Sequence, residues 1–575
     1  MIRRTAAATG LAAALILILI GLWQPVEAEA RWLALLWLAA PTAGLAVRLL
    51  LPTPPAALPR AVANLGLVLL IGFAMLSLQL LRQQFVQSEA VVRHSVVAAD
   101  GGVTANVRPV LESQRVLRGS MLDQRGRVLV ESRAVAGTAQ RVYPIADVYD
   151  LQAFAHVLGF FSLRYGESGL ESVYSDYLTG RRGSLWQQLQ QRAVGGQPEG
   201  NDLTLTIDAE LQARTAELLG GRTGSVVVLD PRSGAIRALV SAPSFDLRSL
   251  TVDPTQPGSS EAARIAAGWA ELNADGAQQP LLNRATQGLY PPGSTFKALT
   301  ALAVLEQEGL FGADQISCPE EYYPQDDAPP VVNARAELSA LIGEPATLER
   351  VFAYSCNTAF AQYALRIGAP ELARAAAQFG IMPPEQAESR GPLLRDLPAA
   401  AALLYVTPNF LDQPRALADT GYGQGELLVT PLHMALIAAA TANDGVLMEP
   451  YLVQQIVRPD GTVQAERNPT ALARVMSQET AAALRSAMGA VAEYGFGSAI
   501  SAEVPGVAVG GKSGTAEHAP GAVPHAWFIA LAPLDAPRYA VAVMVESGGE
   551  GSGVAAQLAG RVLAAALAVE AGATP

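Results

Sequence analysis

The sequence predicts an α/β (α+β) protein: an antiparallel sheet packed with helices, preceded by a smaller mixed α+β domain and N-terminal transmembrane helices. Three observations lead there. In the C-terminal portion, strand-like segments come first, Ala/Leu-rich helical stretches fill the middle, and strand-like segments return at the end. A Gly/Pro/polar stretch, AVGGQPEGND from Ala193, separates that portion from a shorter, turn-rich one. Apolar runs crowd the N-terminus. The expected divisions are a membrane region at residues 1–88, a smaller mixed α+β pedestal at 89–200 and a larger α/β domain at 201–575.

The first apolar run extends from Thr5 to Trp23, behind Arg3 and Arg4. The second, Trp32 to Leu51, is broken by Pro41 and Arg48 and is the weakest. The third, Ala61 to Leu81, is free of charge and long enough to cross a hydrocarbon core of about 30 Å. Arg48 and Arg60 flank the second connection, whereas the first contains Glu27, Glu29 and Arg31. The positive-inside rule then puts the N-terminus in the cytoplasm and everything after the third run outside, in a multi-pass cell-membrane protein. The alternative is a cleaved leader ending near Ala28-Glu29-Ala30, which leaves the C-terminal portion outside as well.

A net charge of −12 over 575 residues, with no basic face, excludes a nucleic-acid partner. Cys318 and Cys356 are too few for a disulfide scaffold or a Cys-based zinc site. They allow one disulfide by arithmetic, but the expectation is two unpaired thiols. His94, His156, His433, His518 and His525 show no paired-ligand spacing, so neither a metal nor another cofactor is expected.

In the pedestal, RGSMLDQRGRVLVES (Arg118 to Ser132) reads as two strand pieces around a Gln-Arg-Gly turn. Beyond Leu203, LTLTIDAELQARTAELL begins as a strand and passes into a helix. GSVVVLDPRSGAIRALVSAPSF reads as a hairpin turning at Asp-Pro-Arg-Ser-Gly. The closing strands are GVAVGGKSGTAE, HAWFIALAPL and YAVAVMVES.

Three short motifs carry the chemistry. Ser294-Thr295-Phe296-Lys297 follows LYPPG, a stiff turn that starts a helix near Ser294. The helix dipole favours negative charge on a serine oxygen there, and the i, i+3 spacing sets Lys297 beside it as a base. Alone the pattern is weak, since an N-cap serine followed by an exposed lysine reads the same way. Ser355-Cys356-Asn357 and Lys512-Ser513-Gly514-Thr515 follow in order, and the trio is a known signature of penicillin-binding proteins and class A β-lactamases. Ser355 can relay a proton, and Asn357 can hold a substrate carbonyl or the lysine. Lys512 with the hydroxyl of Ser513 or Thr515 can bind a terminal carboxylate, and Gly514 allows close backbone approach. The N–H groups of Ser294 and Thr515 would form an oxyanion hole.

With these motifs the chain resembles the class B penicillin-binding proteins over nearly everything after the membrane region. Further matching stretches are YGESGLESVYSDYLTG, VVVLDPRSGAIRALVSAPSFD, NRATQGLYPPGSTFK, GYGQGELLVTPLHMA and HAWFIALAP. Departures are few: Ser513 stands where threonine is commoner, Cys356 where a small residue is, and three apparent spans replace one. The resemblance implies a penicillin-binding transpeptidase (serine β-lactamase-like) fold, with Trp527 and Phe528 packed beneath the active-site strand. It implies an acyl-serine D,D-transpeptidase that cross-links peptidoglycan stem peptides and is acylated by β-lactam antibiotics. The pedestal is too short for a glycosyltransferase domain, so a polytopic membrane polymerase is the expected partner. Rival readings are a D,D-carboxypeptidase or β-lactamase-type hydrolase, a β-lactam-sensing membrane receptor, and a silent scaffold.

Overall fold

The computed structural model describes residues 2–24, 28–52, 57–85, 96–97, 103–104, 115–135, 137–182, 199–276, 278–309 and 315–572. It divides into two compact units, residues 1–114 and 115–575.

In the first unit, helices α1 (Ile2–Leu22), α2 (Glu29–Leu50) and α3 (Ala57–Phe85) are each long and apolar enough to cross a membrane. The expected break in the second run does not occur, because α2 continues through Pro41. Proline removes one backbone donor, a loss that apolar membrane helices tolerate. Small residues let the helices approach: a Cβ on Gly10 would lie 3.0 Å from Ala46 Cβ, and one on Gly21 2.6 Å from the Trp32 ring. Trp32 Nε1 donates to Gln79 Oε1 at 2.6 Å. Beside it the Arg82 guanidinium lies 5.0 Å over the Trp32 ring and donates to Gly21 O and Gln24 O. A cation there completes carbonyls left open at the C-terminal end of α1.

The second unit contains two main sheets, besides four two-stranded pairings. One main sheet has six strands in the order Val463–Glu466, Val453–Val457, Asp202–Leu205, Met121–Leu122, Val128–Val135, Thr138–Val142. The two strand pieces expected around Gln-Arg-Gly are its fourth and fifth, and the Asp123 carboxylate closes their turn by accepting from Arg125 N and Arg127 N. Two of its strands come from far along the chain, a long-range pairing that local pattern does not reveal. Most of the Gly/Pro/polar stretch, residues 193–198, lies outside the described residues.

Beneath this sheet, Glu171 is 1% exposed and binds two guanidiniums, Arg118 Nε at 2.7 Å and Arg141 Nη2 at 2.7 Å. This explains the Gly-Leu-Glu of YGESGLESVY as an ionic core. Asp396 links the same region to the rest of the unit. Its carboxylate accepts from Tyr174 Oη, Leu452 N and Val453 N.

The other main sheet has five strands and is antiparallel. Its strands are β1 (Gly224–Leu229), β2 (Ile236–Ala242), β3 (Gly510–Ala516), β4 (His525–Ala532) and β5 (Tyr539–Val545), in the order β2-β1-β5-β4-β3. The helices that matter here are α4 (Ala209–Leu219), α5 (Lys297–Glu308), α6 (Asn357–Ile367), α7 (Pro431–Ala442), α8 (Gln478–Glu493) and α9 (Ala556–Glu570). The pleat of β4 separates two cores. Trp527, Ile529 and Leu531 join the core shared with α5, α6, α7 and α8. Ala526, Phe528 and Ala530 join that of α4 and α9. The expectation that Trp527 and Phe528 are core is met, since both are 0% exposed. The helical stretch 551–570 is also apolar enough to span a membrane, but it spends that character on covering this sheet.

Removing the Glu171 carboxylate would take its paired carboxylate from buried Arg141 and leave buried Arg118 with the Glu167 pair alone. Glu171→Ala is therefore expected to cost about 3–5 kcal/mol of stability. Thermal unfolding checks this against Glu131→Ala, which disturbs only the exposed Arg133 pair and should shift the midpoint little.

Candidate active site

Ser294 lies in the 3₁₀ turn Gly293–Phe296, and α5 begins at Lys297, one turn later than the sequence suggests. Three residues per turn keep positions i and i+3 eclipsed, so the two side chains leave on one side. Gly293 has φ +53°, and a Cβ there would come within 2.5 Å of Thr515 O. Glycine is needed for both reasons. Thr295 Oγ1 donates to Pro292 O at 2.7 Å and tightens the turn.

The ammonium position of Lys297 is completely buried. Its three hydrogen bonds go to Ser355 O (2.6 Å), Ser355 Oγ (3.1 Å) and Asn357 Oδ1 (2.7 Å), rather than to Ser294. Asn357 thus holds the lysine, and its Nδ2 is occupied by Val332 O at 2.9 Å. Ser355 adopts φ +59°, unusual for a non-glycine residue, between a short helix at Leu348–Ala353 and α6. Lys512 Nζ, also buried, donates to the same Ser355 Oγ at 2.9 Å and to Ser513 O at 3.0 Å.

One hydroxyl therefore stands between two amines. Burial, followed by the neighbouring Lys512 charge, drives the Lys297 pKa well below the ordinary lysine value. Burial alone lowers Lys512 to about 7. A neutral Lys297 is a base, and a Lys512 that still protonates is a cation for an anionic substrate group.

β3 is the edge of the sheet. Its register with β4 pairs Lys512 with Ile529, Ser513 with Phe528, Gly514 with Trp527 and Thr515 with Ala526. Lys512 and Gly514 thus face the helical layer, while Ser513 and Thr515 lie on the other face of the pleat. Thr515 Oγ1 accepts from Gly551 N at 3.3 Å. The reason for glycine at 514 differs from the expected one. A Cβ there would meet Pro292 O at 2.9 Å and Thr295 N at 3.0 Å, so Gly514 accommodates the nucleophile's own turn.

The expectation of unpaired thiols is overturned, because Cys318 and Cys356 form a disulfide. Cys356 sits between Ser355 and Asn357, so the bond ties the second motif to a segment 38 residues away in sequence. The only signal was that the chain's two cysteines included one inside a motif. Sequence reading also missed the support of the nucleophile's turn. Tyr290 exchanges backbone hydrogen bonds with Val429, and Tyr290 Oη and Arg284 Nε both reach Glu546 Oε1 at 2.7 Å.

Sheet, turn and paired lysines together define a serine enzyme of the acyl-transfer class. Residues 224–564 match the penicillin binding protein transpeptidase domain, and residues 118–203 the penicillin binding protein A dimerisation domain. The chain belongs to the penicillin-binding protein transpeptidases, in their class B branch. It is 34% identical over 500 residues to the peptidoglycan D,D-transpeptidase PbpA of Mycolicibacterium smegmatis, covering 82% of this chain and 94% of the relative. Peptidoglycan D,D-transpeptidase MrdA of Acinetobacter baumannii is 29% identical, over 73% of this chain and 65% of that one. Among solved structures, the ceftriaxone acyl-enzyme of penicillin-binding protein A from M. tuberculosis superposes with a TM-score of 0.69 at 33% identity. That match covers 80% of this chain and all of the other.

Because a Cβ on Gly514 would meet two backbone atoms, Pro292 O and Thr295 N, that cannot swing aside, as well as Cγ2 of the buried Thr295, Gly514→Ala must displace the Ser294 turn. Displacements of this kind cost on the order of 100-fold in rate. Labelling by a fluorescent penicillin, compared at equal folded protein, is expected to slow by that factor.

Proposed function

We propose that this enzyme cross-links peptidoglycan by acyl transfer through Ser294. The observation that carries the reading is the buried Lys297–Ser355–Lys512 network beside that serine. Ser294 Oγ attacks the carbonyl of the penultimate D-Ala of a stem pentapeptide and gives its proton to neutral Lys297. The oxyanion is held by the N–H groups of Ser294 and Thr515. The C–N bond then breaks, and the departing D-Ala amine takes a proton relayed from Lys297 through Ser355 Oγ. An amine from a neighbouring stem attacks the resulting ester and returns a proton by the same route, so Ser294 is regenerated and a new amide formed. Lys512 supplies the positive charge that receives the terminal carboxylate, and Gly514 keeps the strand close to the nucleophile. β-Lactams acylate the same serine, in keeping with the acyl-enzyme structures of the relatives.

We assign residues 1–88 to a multi-pass membrane anchor, 89–200 to a pedestal and 201–575 to the catalytic domain. The three apolar helices and their flanking arginines support an extracytoplasmic site, where peptidoglycan is assembled. A polytopic membrane polymerase would supply the glycan strands.

Intact-mass and peptide mapping after benzylpenicillin should find one adduct, on Ser294, absent from Ser294→Ala. An adduct elsewhere would sink the assignment. Purified protein with lipid-linked substrate and a polymerase should yield dimeric muropeptides, whereas free D-Ala without dimers would favour a hydrolase.

The two lysines also set a pH profile. Acylation needs Lys297 neutral, so its lowered pKa moves the rising limb far below that of an ordinary lysine. Carboxylate capture needs Lys512 charged, so the second-order rate should fall as pH rises through about 7. Lys512→Arg, which keeps its charge, should remove that falling limb. A wild-type rate still climbing between pH 7 and 9 would contradict this role.

A further inference from the structure

The residues that hold Lys297 are themselves held, and the holding element lies outside every motif. Asn333 follows a two-residue strand, Val331–Val332, that pairs with Glu321–Tyr322. Its Oδ1 accepts from Asn357 N at 2.9 Å and from Thr358 N at 3.3 Å, the first open donors of α6. Its Nδ2 donates to Pro319 O at 3.0 Å. The preceding residue supplies Val332 O to Asn357 Nδ2 at 2.9 Å. Asn357 is therefore gripped at both its backbone N–H and its side-chain amide. That grip leaves Oδ1 aimed at Lys297 Nζ, 2.7 Å away.

A second set of contacts fixes the gripping segment to the same helix. The Cys318–Cys356 disulfide joins them covalently. Thr358 Oγ1 donates to Pro319 O at 2.7 Å, and Gln362 Nε2 donates to Ser317 O at 3.0 Å. A stability role alone does not require contact with a catalytic residue's amide at both ends. We infer that Asn333 is a positioning residue for acylation, acting through Asn357 to set the orientation and proton affinity of Lys297. The inference rests on the reading of Lys297 as the base for Ser294.

The sign follows from the geometry. The titratable group facing Lys297 is Lys512, and its other neighbours are Ser355, Asn357 and the Phe360 ring at 5.5 Å. A fixed Asn357 Oδ1 accepts a hydrogen bond from the ammonium and stabilises the charged form. Loosening it removes that stabilisation, so the Lys297 pKa falls further while the amine is aimed less well. A packing role alone would change neither the pKa nor its consequence.

The test is acylation of the full-length protein by benzylpenicillin, measured as rate against pH for wild type, Asn333→Ala and Asn333→Asp. In Asn333→Ala the plateau rate is expected to drop at least roughly tenfold, as for a misplaced reacting group. The rising limb should move to lower pH. Asn333→Asp keeps an acceptor for both amides, aspartate being as good a cap as asparagine, but loses the donor to Pro319 O, so it should recover part of the plateau that Asn333→Ala loses. Its added negative charge near Lys297 should move the rising limb to higher pH than in wild type. Asn333→Ala that acylates at the wild-type rate with an unmoved limb would overturn the inference. So would a loss of thermal stability with the profile unchanged. Wild type that forms no Ser294 adduct would instead defeat the underlying assignment of the nucleophile, so the two failures are separable.

Discussion

Two lysine side chains buried around one serine hydroxyl impose the constraint on which the catalytic unit is built. An isolated ammonium taken out of water is expensive, and two adjacent ones cannot both remain charged without compensation. The structure answers with acceptors. Lys297 has Ser355 O, Ser355 Oγ and Asn357 Oδ1, and Lys512 has Ser355 Oγ and Ser513 O. Those acceptors do not neutralise the pair, so burial disfavours the charged form of both amines. Lys297, which also feels the Lys512 charge, has its pKa driven well below the ordinary lysine value. Both amines are fully buried, so the division into a base and a cation follows from the Lys512 charge that Lys297 also feels, with no carboxylate in the cluster among the described residues.

The constraint propagates into backbone geometry. For Ser355 Oγ to reach both lysines, the chain at 355 takes a left-handed turn between two helices, which is costly for serine and must be held from outside. The disulfide at Cys356 and the cap from Asn333 supply that hold. On the other side, β3 must lie against the Ser294 turn closely enough that neither Gly293 nor Gly514 tolerates a Cβ. Gly423 closes the same contact from a third direction, since a Cβ on it would reach 1.9 Å from Gly293 O. Nucleophile, relay and edge strand are thus fixed by backbone contacts and leave few side-chain degrees of freedom to misplace the reacting atoms.

Much of this was legible in the sequence where the information is local. Short apolar runs marked β1, β2, β4 and β5, and the Pro-Pro-Gly turn located Ser294 within a few residues. The three motifs supplied the eight candidate site residues; the structure links Lys297, Ser355, Asn357, Lys512 and Ser513 by hydrogen bonds and sets Gly514 against the turn that carries Ser294. What the sequence hid is non-local. Strands at 453–457 and 463–466 complete a sheet begun near residue 121, because pairing partners leave no mark on one another in a single chain. Asn333 looks like an ordinary turn residue until its helix is known. The Cys318–Cys356 bond was undervalued because a pair of cysteines carries no distance information until the fold supplies it. The pleat likewise decides that Ser513 and Lys512, adjacent in sequence, face opposite ways.

The same geometry bears on the second half of the proposed cycle. A relay that carries a proton out to a leaving amine carries one back from an arriving amine, because the two steps are mirror images. In the proposed cycle Lys297 and Ser355 would act only on the acceptor's proton, and so would not distinguish an incoming amine from water. Selection must therefore come from what holds the acceptor above Ser294. The elements there are the open edge of β3, with its unpaired backbone groups, and the residues after β5, tied to it by the Gly551 N–Thr515 Oγ1 bond. An extended peptide laid along that edge gains strand-like hydrogen bonds that water cannot make. Transfer to a peptide amine is thus favoured by the sheet, while the buried lysines supply chemistry common to both outcomes.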